Sequence, residues 1–152
     1  MSAPAPLPFR IKLPGEDTVD FTEVRDVSRR ADGLLHLLDG LLLLEWAVTE
    51  SVDEVGLSNV SSTTETFEAE ELDIPLEWLT GVELTGGILR PRVKLRARSL
   101  AVFADVPGAK GAELELHYRR ADRLVAVAMH RAIEAAMGGD SGSFIAADIA
   151  PR

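Results

Sequence analysis

The residues of this chain best suited to chemistry are five cations, Arg90, Arg92, Lys94, Arg96 and Arg98, which fall two apart in "RPRVKLRARS". Alternate side chains of an extended strand share a face, so the spacing predicts a half-buried strand with Val93, Leu95 and Ala97 inward and a wholly basic face outward. Such a face has two uses. It can pair with acids of neighbouring strands, such as Glu83, or its excess charge can recruit the phosphates or carboxylates of a partner. The first use is the one expected here, because a charge run at strand spacing is most simply a solvated sheet face.

No other set of residues assembles into a reactive group. His36, His117 and His130 stand in separate segments, without the spacing of a metal site, and the chain has no cysteine. A Gly-x-Ser-x-Gly elbow is absent, and "GGDSGS" follows a helical pattern rather than a strand, so it reads as a helix stop and not as a phosphate loop. The acids Glu65, Glu68, Glu70, Glu71 and Asp73 lack the glycine and the alternation of a calcium loop; a charged strand edge that discourages aggregation is the simpler reading. The sequence therefore predicts a non-catalytic protein with no metal and no cofactor.

A chain of 152 residues has the size of one domain with a sizeable core. Its net charge of −9 is divided unevenly, with 18 acids against 5 bases in residues 1–88 and 11 bases against 7 acids after them. An acidic body argues against nucleic acid as a partner and against binding to anionic membrane. The start lacks the apolar segment of a signal peptide, and the longest leucine-rich run is interrupted by His36, Asp39 and Glu45, so the expected location is cytoplasmic.

The elements that must position the cations are mostly strands. Residues 1–16, with Pro4, Pro6 and Pro8, are expected to form a flexible arm, apart from a possible short strand at "FRIKLP", and residues 139–152 a flexible tail; the domain spans 17–138. In "LLHLLDGLLLLEW" two apolar runs flank Asp39-Gly40, the favoured pair for a tight hairpin turn. With Glu45 outward, Leu42, Leu44, Trp46 and Val48 point inward and Leu41 and Leu43 are left outside, a candidate apolar interface that either the arm or another copy of the chain must cover. "SVDEVGLSNVSSTT" reads as a polar loop, "ETFEAEELDIPLEWL" and "TGVELTGG" as strands, and "LAVFADVPGAKGAELELHYRR" as two strands joined through Pro107-Gly108 and Gly111. Trp46 and Trp78 are expected in the core. "ADRLVAVAMHRAIEAAMGG" is one helix of about 15 residues, with Asp122 as N-cap, Leu124, Val127, Ala128, Ile133 and Met137 at helical spacing, and Gly138-Gly139 as the stop.

Seven strands followed by one helix, together with the "ADGLLHLLDGLLLLEW" hairpin, "IPLEWLTGVEL" and "RRADRLVAVAMHRAIEA", resemble the pleckstrin-homology-like superfamily in its bacterial and GRAM-type members, over residues 28–137. The resemblance implies a mainly β fold, a seven-stranded, partly open antiparallel barrel capped by the C-terminal helix. It also implies a platform for phosphoinositides, peptides or proteins rather than an enzyme. Phosphoinositide-binding members carry a Lys-x-Lys/Arg-x-Arg cluster in the first hairpin loop, where this chain has Asp39-Gly40. The expected function is a binding or assembly module acting on a protein partner or on itself, with a membrane-surface or anionic-ligand adaptor using Arg90–Arg98 as the alternative.

Overall fold

A computed structural model describes residues 3–19 and 23–138. Among them the chain is mainly β, with eight strands in one antiparallel sheet and one C-terminal helix. The strands are β1 (Leu7–Val19), β2 (Glu23–Leu38), β3 (Leu41–Gly56), β4 (Val60–Thr66), β5 (Glu70–Pro75), β6 (Leu79–Thr85), β7 (Arg92–Ala97) and β8 (Glu113–His117), and the helix is α1 (Arg123–Gly138). The hydrogen-bonded order is β4-β3-β2-β1-β8-β7-β6, with β5 also paired to β3. No pairing joins β5 to β6, so the sheet does not close.

The predicted hairpin sets the register of the first half. Leu38 pairs with Leu41 across Asp39-Gly40, and Gly40 takes a φ of 77°, open to glycine at little cost. From that turn Leu35, Leu37, Leu42, Leu44 and Trp46 are buried, while Leu41 and Leu43 lie on the other face, as the alternation requires. Further along β2, Gly33 has no room for a side chain: an added Cβ would overlap the Glu45 carbonyl oxygen and come within 2.7 Å of the Phe9 ring. The inward side chains of both halves of the sheet, Phe9, Leu35 and Leu44 with Val93, Leu95, Leu114 and Leu116, belong to one core. A single core shared by the two ends of the strand order requires the sheet to wrap round it. Ala126, Met129 and Ile133 of α1 enter the same core, and the helix packs mainly on β6.

Several expectations are corrected. The arm expected over residues 1–16 is a strand from Leu7 onward, with Leu7, Phe9 and Ile11 buried; the alternation of these apolar residues outweighs Pro8, whose missing N–H a strand position tolerates. The polar loop expected at residues 51–64 is strand on both sides of a short turn, because β3 runs on to Gly56 and β4 begins at Val60. There the ladder carries a row of hydroxyls, Thr49 with Thr66 (3.2 Å), Ser51 with Thr64 (3.3 Å) and Ser62 with Asp53 (2.6 Å). β-branched threonines favour extended backbone without being apolar, so hydropathy patterning misses them. In the other direction, the strand expected before Pro107 is a series of turns anchored by buried Phe103 and Val106. The helix presents a face rotated from the expected one: Val125, Ala126, Met129, Ala132, Ile133 and Met137 pack inward, whereas Leu124 is 84% exposed and Ala128 is exposed. Trp46 is in the core, but Trp78, in a 3-10 turn between β5 and β6, is 45% exposed. The tail at residues 139–152 lies outside the described residues.

Candidate binding surfaces

Only the middle of the basic run is a strand. Arg92, Lys94 and Arg96 project from the outer face of β7, with Val93, Leu95 and Ala97 buried beneath them; Arg90 sits in the preceding turn and Arg98 just past the strand end. The flanking strands place acids opposite the cations: Glu83 and Glu115 pair with Lys94 across β6 and β8, and Glu113 pairs with Arg96. Arg96 contacts Glu83 at 2.9 Å and Glu113 at 3.0 Å, Arg92 contacts Glu115 at 3.0 Å, and Lys94 lies 3.7 Å from Glu113. The outer face is thus a checkerboard of opposite charges. Arg98 donates to the Glu77 carbonyl oxygen, and Arg90 has no ion-pair partner among the described residues.

The outer face of the β2–β3 hairpin carries four leucines around a His36–Glu45 pair. Leu34 and Leu38 are 38% and 46% exposed, Leu41 and Leu43 are half-buried, and the register sets Leu38 against Leu41. Within this patch His36 and Glu45 form a hydrogen bond of 2.5 Å. Because residues 7–13 are hydrogen-bonded to β2 as its neighbouring strand, they do not lie across this face.

Between the two halves of the sheet, β1 and β8 pair only at Arg10 and His117, and a hollow of about 400 Å³ opens there among Phe9, Asp32, Tyr118 and Arg119. Burial pushes the Asp32 carboxyl up, but hydrogen bonds and charge from Arg10 (2.7 Å) and Arg30 (2.8 Å) outweigh it and hold the group below its usual range. Burial pushes His117 down, and the Arg92 guanidinium pushes it the same way against a weaker pull from Glu115. The imidazole is therefore kept neutral. The other histidines are far apart in use: His36 is in the leucine patch, and His130 Nε2 on α1 lies 3.2 Å from the Val82 carbonyl oxygen. Among the described residues no group of three or more His, Asp or Glu side chains converges as a metal site would.

A second hollow of about 400 Å³ was not anticipated from the sequence. It lies where the turn between β6 and β7 meets the start of α1, and is lined by Gly87, Ile88, Pro91, Tyr118, Arg120 and Arg123. Pro91 and Tyr118 are buried in its floor, Ile88 and Leu89 stand 67% and 86% exposed on the turn, and Arg120 Nε donates to the Ile88 carbonyl oxygen at 3.2 Å. The sequence signal was present in "GGILRPR", where two large aliphatic residues stand in a glycine turn rather than in a strand. Comparison with known proteins finds no matching family model, curated protein or solved structure. No helix among the described residues is long and apolar enough to cross a membrane.

Proposed function

We propose that the chain is a non-catalytic assembly module of pleckstrin-homology-like architecture that binds a protein partner, in the first place another copy of itself. Support for the architecture comes from the strand order, a meander of β1–β3 and one of β6–β8 meeting at β1–β8, with a terminal helix over the unclosed side. The observation that carries the functional reading is the outward row Leu34, Leu38, Leu41 and Leu43 on the central hairpin. Aliphatic side chains aligned on a rigid sheet face gain by leaving water, at ~25 cal/mol per Å² buried, and such patches mark interaction sites on otherwise charged surfaces.

The alternative use of the basic strand as an anion platform is disfavoured by the checkerboard, in which Glu83, Glu113 and Glu115 already neutralise Arg92, Lys94 and Arg96. Light scattering across a range of concentrations tests the assembly reading. At about 1 M salt, where charged contacts are screened, the wild-type chain is expected to exceed monomer mass, and Leu41→Ser with Leu43→Ser to return it to monomer without unfolding it. A wild-type chain that stays monomeric at every concentration, and captures no partner that the double variant fails to capture, would overturn it.

A further inference from the structure

Two further surfaces, one of them bordering the leucine patch where Asp73 stands opposite Leu43, match each other in charge. The first is the hollow beside the β6–β7 turn, with an apolar floor of Pro91 and Tyr118, an apolar wall at Ile88 and a rim of Arg120 and Arg123, with Arg90 next to it in sequence to Pro91. Arg120, Arg123 and Arg90 make no ion pair among the described residues. The second runs from the end of β4 into β5: Phe67, in the short link between them, stands 47% exposed between Glu65 of β4 and Glu68, and Glu70, Glu71 and Asp73 follow in β5. Each of these five acids is exposed, and none has an ion-pair partner among the described residues. The acids do not pair with the rim arginines of their own chain, and none of residues 65–73 lines the hollow.

We propose that a second copy of this chain docks its 65–73 segment at the hollow, Phe67 entering the apolar floor and the flanking glutamates meeting Arg120, Arg123 and Arg90. A hollow of about 400 Å³ has room for one aromatic side chain, and a buried aromatic anchor with arginine beside it is the composition in which binding energy concentrates at interfaces. A net charge of −9 opposes an anionic bilayer and a second copy alike, and what favours the copy is that its 65–73 segment supplies local acid and an apolar anchor together. The contact uses a different patch on each partner; docked in one direction it propagates head to tail, and docked reciprocally it closes a two-fold pair. It rests on the reading of the chain as an assembly module but uses neither Leu41 nor Leu43.

Two variants separate this contact from the leucine patch. Arg123→Glu with Arg120→Glu removes the rim, and Phe67→Ser with Glu68→Lys removes the knob; all four side chains are exposed, and unchanged circular dichroism and melting confirm folding in each. At low salt the wild-type mass in light scattering is expected to grow with concentration beyond a dimer and to fall back at about 1 M salt, where the Debye length is ~3 Å. Each variant alone is expected to lose that growth. An equal mixture of the two, built on the Leu41→Ser, Leu43→Ser background, is expected to stop at a pair, because only one knob and one rim remain intact. Growth that survives both variants and vanishes with Leu41→Ser and Leu43→Ser overturns the hollow while keeping assembly; a monomer throughout overturns both. Sedimentation of wild type with phosphatidylserine vesicles, lost on Arg123→Glu, together with failure of the mixture to pair, assigns the hollow to lipid and also overturns the proposal.

Discussion

Replacing Leu95 by alanine tests which face of β7 holds the fold. Its side chain is fully buried between Val82 of β6 and Leu114 of β8, its register partners, inside the shared core. Truncating such a leucine costs the lost transfer of its methyl and methylene groups plus a cavity that the wrapped sheet cannot collapse, ~2–5 kcal/mol. The neighbouring Arg96 contacts two glutamates but is 46% exposed, and exposed pairs contribute ~0.2–1 kcal/mol each. At roughly 2–4 °C per kcal/mol for a domain of this size, Leu95→Ala should lower Tm by on the order of 10 °C, and Arg96→Ser by no more than a few degrees. Thermal melts and urea midpoints at constant slope measure both. Equal losses from the two substitutions would mean that the guanidinium of Arg96 is buried or networked beyond its two glutamates, and the assignment of the faces would be wrong.

Two further outcomes follow from particular residues. Gly33→Ala should prevent folding or sharply lower Tm, because its Cβ meets the Glu45 backbone and the Phe9 ring, whereas Gly40→Ala, with open space around a φ of 77°, should cost only the backbone strain of ~1–2 kcal/mol; comparable melting of the two variants would refute the steric account. His117, held neutral in the fold, ties stability to pH: the unfolded chain takes up a proton near pH ~6.5 while the folded chain resists, so that this contribution is complete above that value and is lost as pH falls through it toward the lower folded pKa. Melting should therefore drop as pH falls through ~6.5, and less steeply in His117→Gln; an equal slope in the variant would refute the coupling. Asp32, whose carboxyl is held low, acts in the same direction only in the acid range near and below pH ~4, outside that window.

Much of the local structure was legible because short-range rules decide it. The Asp39-Gly40 turn, the inward set Leu42, Leu44 and Trp46, the outward pair Leu41 and Leu43, and the burial of Val93, Leu95 and Ala97 all follow from a period of two and from one turn's chemistry. The existence of the helix was equally plain, but its rotation was not: Leu124 is as apolar as Met129, and only the position of β6 and of the core decides which of them is covered. Strands made of hydroxyls, as in β4, carry no hydropathy signal and exist because an adjacent strand offers them partners.

The sequence by itself determined an acidic, β-rich chain with a closing helix and a basic strand whose apolar side faces inward. Tertiary structure decided what the basic residues meet. Glu83 is near Lys94 in sequence, but Glu113 and Glu115 become neighbours of Arg92 and Arg96 only through the β7–β8 register, which sets acids beside the three cations of the strand. It also brought Ile88 and Pro91 to Tyr118, Arg120 and Arg123, about thirty residues later along the chain, creating an arginine-rimmed hollow that no local pattern encodes. Backbone periodicity fixes which way a side chain points. What it points at depends on strand pairings between distant segments, and those are settled only when the whole core closes.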